Sequence, residues 1–398
     1  MRRNPIVLRS PWMALGVGVA AFAVYWSCNF WFTSGRNDFF LLADAFLRGR
    51  TWVHSIDLIG PWDRINVDGR TYVPFAPLPA LVFMPFVAVL GVERLSSAQQ
   101  LVDALLAAGC VVLGYLVITR FGGTVRRDRL WLTALFAFST PILSITMRGG
   151  PWHEGQLLAT ICSLAAILEA SGRRRAILLG ALGGSAFLAR SPTILALPLY
   201  VWTAATDGGT RPFTRSAARA TALVAAGAVP AVAFALWYNA ARFGSPFESG
   251  YALATLPPFL EALREQGLFS LAHVPRNLEY FLLHRPVLDG PPLYVRPDGL
   301  GLSVFITSPG LLVGAGARPA DRFLIACALT ALAVFIPSLL YYGGGWIQAG
   351  FRYFLDAIPF LLPVVAAGSR TGLGMGWKLV IAAGILVNLW TVPWVGGF

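Results

Sequence analysis

Apolar runs near the length of a bilayer, separated by short junctions rich in arginine, recur along the whole chain and constrain its fold more than any other feature. A helix needs roughly 20 predominantly apolar residues to cross the hydrocarbon core, where no water satisfies an open backbone. Composition agrees: 56% of the 398 residues are hydrophobic and 13% are charged, with a mean hydropathy of +0.65. A soluble domain carries roughly 25% charged residues, so most of this surface must meet lipid. The fold expected is an all-α membrane protein, a single polytopic bundle over residues 1–398. The net charge of +12 sits in junction arginines, as the positive-inside rule requires, and not in a nucleic-acid-binding stripe. Cys28, Cys110, Cys162 and Cys327 are scattered among apolar runs and lack the spacing of a disulfide or zinc framework.

Arginine placement sets the expected topology. Arg2, Arg3 and Arg9 precede a first span from Pro11 to about Thr33, so the N-terminus is cytoplasmic and 34–73 lies outside. The next apolar run, 74–92, holds Pro74, Pro77, Pro79 and Pro85, each lacking a backbone donor. Were it to span, Arg120, Arg126, Arg127 and Arg129 would fall outside, so 74–92 is read as an outer-surface helical element or a partial re-entry within a first outer loop of 34–96. Spans then follow at 97–119, 130–147 and 154–171. The stretch 177–203 forms two short helices broken at Arg190-Ser191-Pro192. It puts Arg211, Arg215 and Arg219 inside. Residues 220–240 span, 241–300 form a large outer loop, and 301–317, 323–342, 351–369 and 379–395 complete about eleven spans with an outer C-terminus.

The polar groups that need explanation lie on the side read as outer. Asp38 closely follows the first span and opens an apolar stretch carrying Asp44, with the pattern of an amphipathic helix on the membrane. A carboxylate at that depth is partly desolvated and a stronger base than in water; Asp is equally a preferred helix N-cap. His153 and Glu154 stand in Arg148-Gly-Gly-Pro-Trp-His-Glu-Gly155. Arg352 enters a span after a glycine run, and its fork geometry suits phosphate. Arg190 sits at a helix break, where a charge needs a partner or a water-filled cavity. Asn239, Arg242 and Glu248 either line a site or belong to a structured turn around Gly244, Pro246 and Gly250.

Taken in order, these pieces resemble the GT-C class of membrane glycosyltransferases, in the branch of protein O-mannosyltransferases and aminoarabinose lipid A transferases. The matching pieces are Asp38 after the first span, the stretch Ala43 to Arg50 and the Pro-rich run from Tyr72 to Pro79. Glu154, Leu188-Ala-Arg-Ser-Pro192, the run Tyr238 to Glu248 and Gly350-Phe-Arg-Tyr-Phe354 follow. Two departures stand out. Asn37-Asp38 replaces the Asp-Glu pair of some members, and residues 74–79 lack the usual His.

The resemblance implies an inverting transferase in the cell membrane with its active site on the extracytoplasmic side. It would move a sugar from a polyprenyl-phosphate carrier to an extracytoplasmic glycan, lipid or protein hydroxyl, without a cofactor or metal. It implies Asp38 as general base, Arg352 and Arg190 at the donor phosphate, and Asp44, His153, Glu154 and Arg242 at the substrates. The rival readings are a secondary transporter or lipid flippase, which usually shows inverted repeats and midplane sites, and a non-catalytic scaffold in which Asp38 and Glu154 are helix caps.

Overall fold

The computed structural model describes residues 11–29, 35–58, 60–206, 214–289, 294–318 and 321–395. Arg2, Arg3, Arg9, Arg211 and the end of the first expected span lie outside the described residues. The protein is all-α. Its only strands among the described residues are two antiparallel pairs, Ile65–Val67 with Arg70–Tyr72 and Val287–Leu288 with Val295–Arg296.

Five described helices are long and apolar enough to cross a membrane: Pro11–Cys28, Gln99–Phe121, Arg215–Phe243, Arg322–Leu340 and Met375–Trp394. Arg126–Phe138 and Pro141–Arg148, bent by 45° at their junction, make a sixth if taken as one span. About eleven spans were expected, so the count is corrected to five or six. The reason is local. The run 177–203 breaks into Ala176–Ala189, a 3₁₀ turn Ser191–Ala196 and Leu197–Ala205. The runs 301–317 and 351–369 become short helical pieces around Pro309 and the turn Arg352–Asp356. The Pro151–Ser171 helix is long enough, but it is polar at both ends and buried along nearly its whole length.

The first loop builds its own small core. Asp38–Leu47 is a helix, as the apolar stretch predicts, and it packs on Leu78–Leu90 with the Phe40 and Phe83 rings 5.0 Å apart. Leu78–Leu90 has 13 residues, about 20 Å of helix, too short for a hydrocarbon core of roughly 30 Å. The run 74–92 is therefore a packed element that does not span. Between these helices Asp68 and Gly69, with φ of 50° and 74°, turn the hairpin Ile65–Val67 / Arg70–Tyr72, the chemistry expected of a tight Asp-Gly turn.

The junctions read as inner contact one another. Arg370 Nε donates to Phe121 O, Arg129 Nε to Gly123 O, Arg120 to Ser171 O, and Lys378 pairs with Asp128 at 3.0 Å. The junctions read as outer (34–73, 148–155, 190–192, 249–269 and 337–353) converge on one cavity. The two sets occupy separate poles.

Close helix packing holds the bundle between them. Ala176–Ala189 lies against Arg215–Phe243 so tightly that a Cβ on Gly180 would collide with Val224 O, and one on Gly227 with Ile177 O. Small residues at such crossings let backbones approach where lipid removes any hydrophobic drive between helices. Gly227→Leu should therefore lower stability by roughly 1–3 kcal/mol, read as a lower melting temperature of the detergent-solubilised chain. An unchanged melting temperature would show that these helices do not pack at this crossing.

Candidate functional site

The cavity at the second pole has a volume of about 520 Å³. Its cationic wall is Arg36, Arg148, Arg190 and Arg352, with Trp62, Trp152 and Tyr353 beside them; its apolar wall comes from 254–269 and 337–347, including Leu256, Leu260 and Trp346. Among the described lining residues the one carboxylate is Asp63.

Each charge is held by a distinct element. Arg190, at the break that the Ser-Pro pair imposes, donates to Asp356 Oδ2 at 2.9 Å from Nη2 and 3.1 Å from Nε, and to Oδ1 at 3.3 Å from Nε. Its guanidinium stacks on Tyr353 at 5.2 Å. Sequence reasoning required a partner or a cavity for Arg190, and it has both. Arg352 is 7% exposed; among the described residues its side-chain hydrogen bonds are long, 3.5 Å to Trp152 O and 3.5 Å to Tyr353 Oη, and its guanidinium lies over the Tyr353 ring at 4.8 Å. Its Nε is buried without a hydrogen-bond partner. An arginine so placed has donors left for an anion.

The Arg352 backbone is set from a distance. Its N–H donates to Gln348 Oε1, and Gln348 Nε2 donates to Leu300 O. Leu300 N–H in turn donates to Asp298, whose other oxygen meets His284 Nε2 at 2.9 Å. Glu279 meets His284 Nδ1 at 3.0 Å. Carboxylates on both ring nitrogens require two donors, hence the imidazolium.

Asp63 is the residue that sequence reasoning missed. It sits at φ 56°, a left-handed conformation Asp tolerates. A reciprocal pair fixes it: Asp63 N–H donates to Thr255 O and Thr255 N–H to Arg64 O, each at 2.9 Å. Its Oδ2 accepts from Trp152 Nε1 at 3.1 Å. Burial raises its pKa above the ordinary carboxylate value, against the opposing pull of Arg36, the Trp152 hydrogen bond and Arg352. A carboxylate in this state is a stronger base than one in water.

Four of the expected site residues fall elsewhere. Asp38 is 1% exposed and is not in the cavity wall. Both its oxygens accept from Arg36, at 2.8 Å from Nε and 2.6 Å from Nη2. It is not the N-cap residue either, since Asn37 holds that place and makes no side-chain cap bond. Asp44 forms a partly exposed i,i+4 pair with Arg48 at 2.9 Å, away from the cavity. Arg242 is a buried strut, donating to Val73 O, Asn239 Oδ1 and Ser249 O, so the structured turn is the outcome there. Glu154 is 1% exposed behind the wall and accepts from Gln99 Nε2 at 3.3 Å. His153 does line the cavity, with Nδ1 2.7 Å from Gly149 O. Asp103, inside an apolar helix and 1% exposed, was also passed over; an ionisable residue within a span is itself a signal.

The His284 clamp carries a pH dependence. Burial lowers its pKa, but the bonds to Glu279 and Asp298 outweigh this and raise it above 6.5. A raised pKa means the stabilisation is complete below the unfolded value and is lost as pH rises through the folded one. Wild-type thermal stability should fall as pH climbs above about 6.5, and His284→Gln should remove that part of the slope. An equal slope in the variant would exclude the clamp. Comparison of the chain with family models, with curated proteins and with solved structures returned no match.

Proposed function

We propose that the protein is a GT-C-like transferase that moves a sugar from a polyprenyl-phosphate carrier to an acceptor hydroxyl at the extracytoplasmic face of the cell membrane. The observation that carries the reading is the pairing, in one cavity, of an arginine with unused donors (Arg352) and a single carboxylate of raised pKa (Asp63). Aromatic rings beside both suit a sugar, and the apolar wall suits the first units of a lipid chain. Sidedness rests on the arginine junctions gathered at the opposite pole.

The chemistry balances within these groups. Asp63 takes the proton of the acceptor hydroxyl. The acceptor oxygen bonds the anomeric carbon, the bond from that carbon to the carrier phosphate breaks, and its electron pair leaves on the phosphate oxygen. Arg352 stabilises the departing charge, with Arg148 in the same wall. Preorganised positive charge aimed at developing negative charge is often the largest catalytic term. A single displacement inverts the anomeric centre. The role of base therefore passes from Asp38 to Asp63, and Arg190, already neutralised by Asp356, is a weaker phosphate ligand than Arg352.

A second reading is favoured by one observation. Asp103 and Glu154, buried in the helices and interacting through space, with Asp103 Oδ1 unpartnered, are what an ion-coupled transporter would need. Transfer assays with undecaprenyl-phosphate-linked sugars and the purified chain separate the two. Asp63→Asn should cut the rate about 10²–10⁴-fold with the melting temperature retained, and Arg352→Ala should weaken binding of undecaprenyl phosphate. Full transfer by Asp63→Asn would remove the proposed base. Proton-coupled flux without any transfer, lost in Asp103→Asn, would establish the transporter.

A further inference from the structure

Arg36 stands between two carboxylates. Its hydrogen bonds include those to Asp38 and, at 3.3 Å from Nη1, one to Trp62 O. Its guanidinium lies over the Trp152 ring at 4.9 Å. The same Trp152 donates its indole N–H to Asp63, and Arg36 acts on Asp63 through space. The row runs from Asp38 through Arg36 and Trp152 to Asp63 and then the cavity. The Arg36 main chain is pinned as well, because its carbonyl accepts from Gln99 Nε2 at 2.5 Å. Asp38 is 1% exposed and Arg36 6%, so both charges are largely withdrawn from water. Breaking one half of such a pair leaves an uncompensated buried charge.

We propose that Asp38 is a positioning residue. By gripping the Arg36 guanidinium at two points it holds that cation on the face of Trp152 and off the Asp63 carboxylate, so that Asp63 keeps an oxygen for the acceptor hydroxyl. The inference rests on the assignment of Asp63 as base and explains why a residue outside the cavity matters to it. Among the described residues Asp63 is the other carboxylate that acts on Arg36 through space, so an Arg36 released from Asp38 is drawn toward it. Capture there would consume the base in an ion pair and displace the Trp152 N–H.

A carbodiimide that reacts with protonated carboxyl groups reads the Asp63 titration directly. The purified full-length chain is labelled across pH, and the Asp63 peptide is quantified by mass spectrometry. Asp38→Asn should shift the labelling midpoint of Asp63 to lower pH by roughly one unit, the effect of a new adjacent cation. Arg36→Gln should shift it upward, and so should Arg36→Gln combined with Asp38→Asn. With undecaprenyl-phosphate sugars as probe, transfer should fall at least tenfold in Asp38→Asn and recover partly in the double variant, because the competing cation is gone. A purely structural role for Asp38 would lower the melting temperature and leave the Asp63 midpoint unmoved, which would overturn the proposal. A double variant as inactive as Asp38→Asn, with Asp63 titrating normally, would also overturn it and return the base to Asp38. Should Asp38→Asn fail to fold, the double variant and Arg36→Gln still decide, since both are predicted to raise the midpoint. Retained transfer in Asp63→Asn, with the midpoint shifts as predicted, would leave the positioning geometry standing and sink only the choice of base.

Discussion

A guanidinium taken out of water must be answered by an anion, and two such answers organise this molecule. Arg190–Asp356 ties the helix break at residue 190 to the turn at 352–356, and Arg36–Asp38 fixes the start of the first loop. Removing either anion would leave a buried charge uncompensated, at a cost of several kcal/mol. Both pairs sit at the rim of the same cavity, so the elements that build the wall are also the elements the ion pairs lock. What remains is an asymmetry. Among the described residues Arg36 and Arg190 pair with carboxylates, whereas Arg352 makes only long side-chain hydrogen bonds, lies over the Tyr353 ring and keeps a buried, unpartnered nitrogen.

Geometry of that kind selects among functions. In the proposed reading the cationic wall takes the anion of the donor and the carboxylate raised by burial serves as base. That pairing is what favours the proposal of group transfer from a phosphate over passive binding. The proposed lipid-borne donor would arrive sideways through the bilayer. The Asp103–Glu154 pair is buried and stands outside the cavity lining.

Much of the fold was legible in the chain. Long runs such as 97–119 and 220–240 announce their helices, and Pro74, Pro77, Pro79 and Pro85 fall in a segment whose helix, Leu78–Leu90, is packed and shorter than a span. The break at Arg190-Ser-Pro192 was equally plain. The span count was not, because apolar length alone does not separate one continuous helix from short pieces around Pro309 or the 352–356 turn. The site was half legible. Arg352, Arg190 and His153 were readable as charges stranded at helix ends. Asp63 was not, because its importance comes from a left-handed backbone and a pairing with Thr255, 192 residues away. Asp38 lies outside the cavity wall for a reason the sequence does not show: Arg36, two residues earlier, holds both its oxygens.

The most direct test is an experimental structure of the full chain with undecaprenyl phosphate bound. The account predicts the phosphate against the Arg352 guanidinium, the prenyl chain along the wall formed by 254–269 and 337–347, and the Asp63 carboxylate facing the space left for the sugar. A phosphate seated at the opposite pole, or lipid bound while the cavity stays empty, would contradict it.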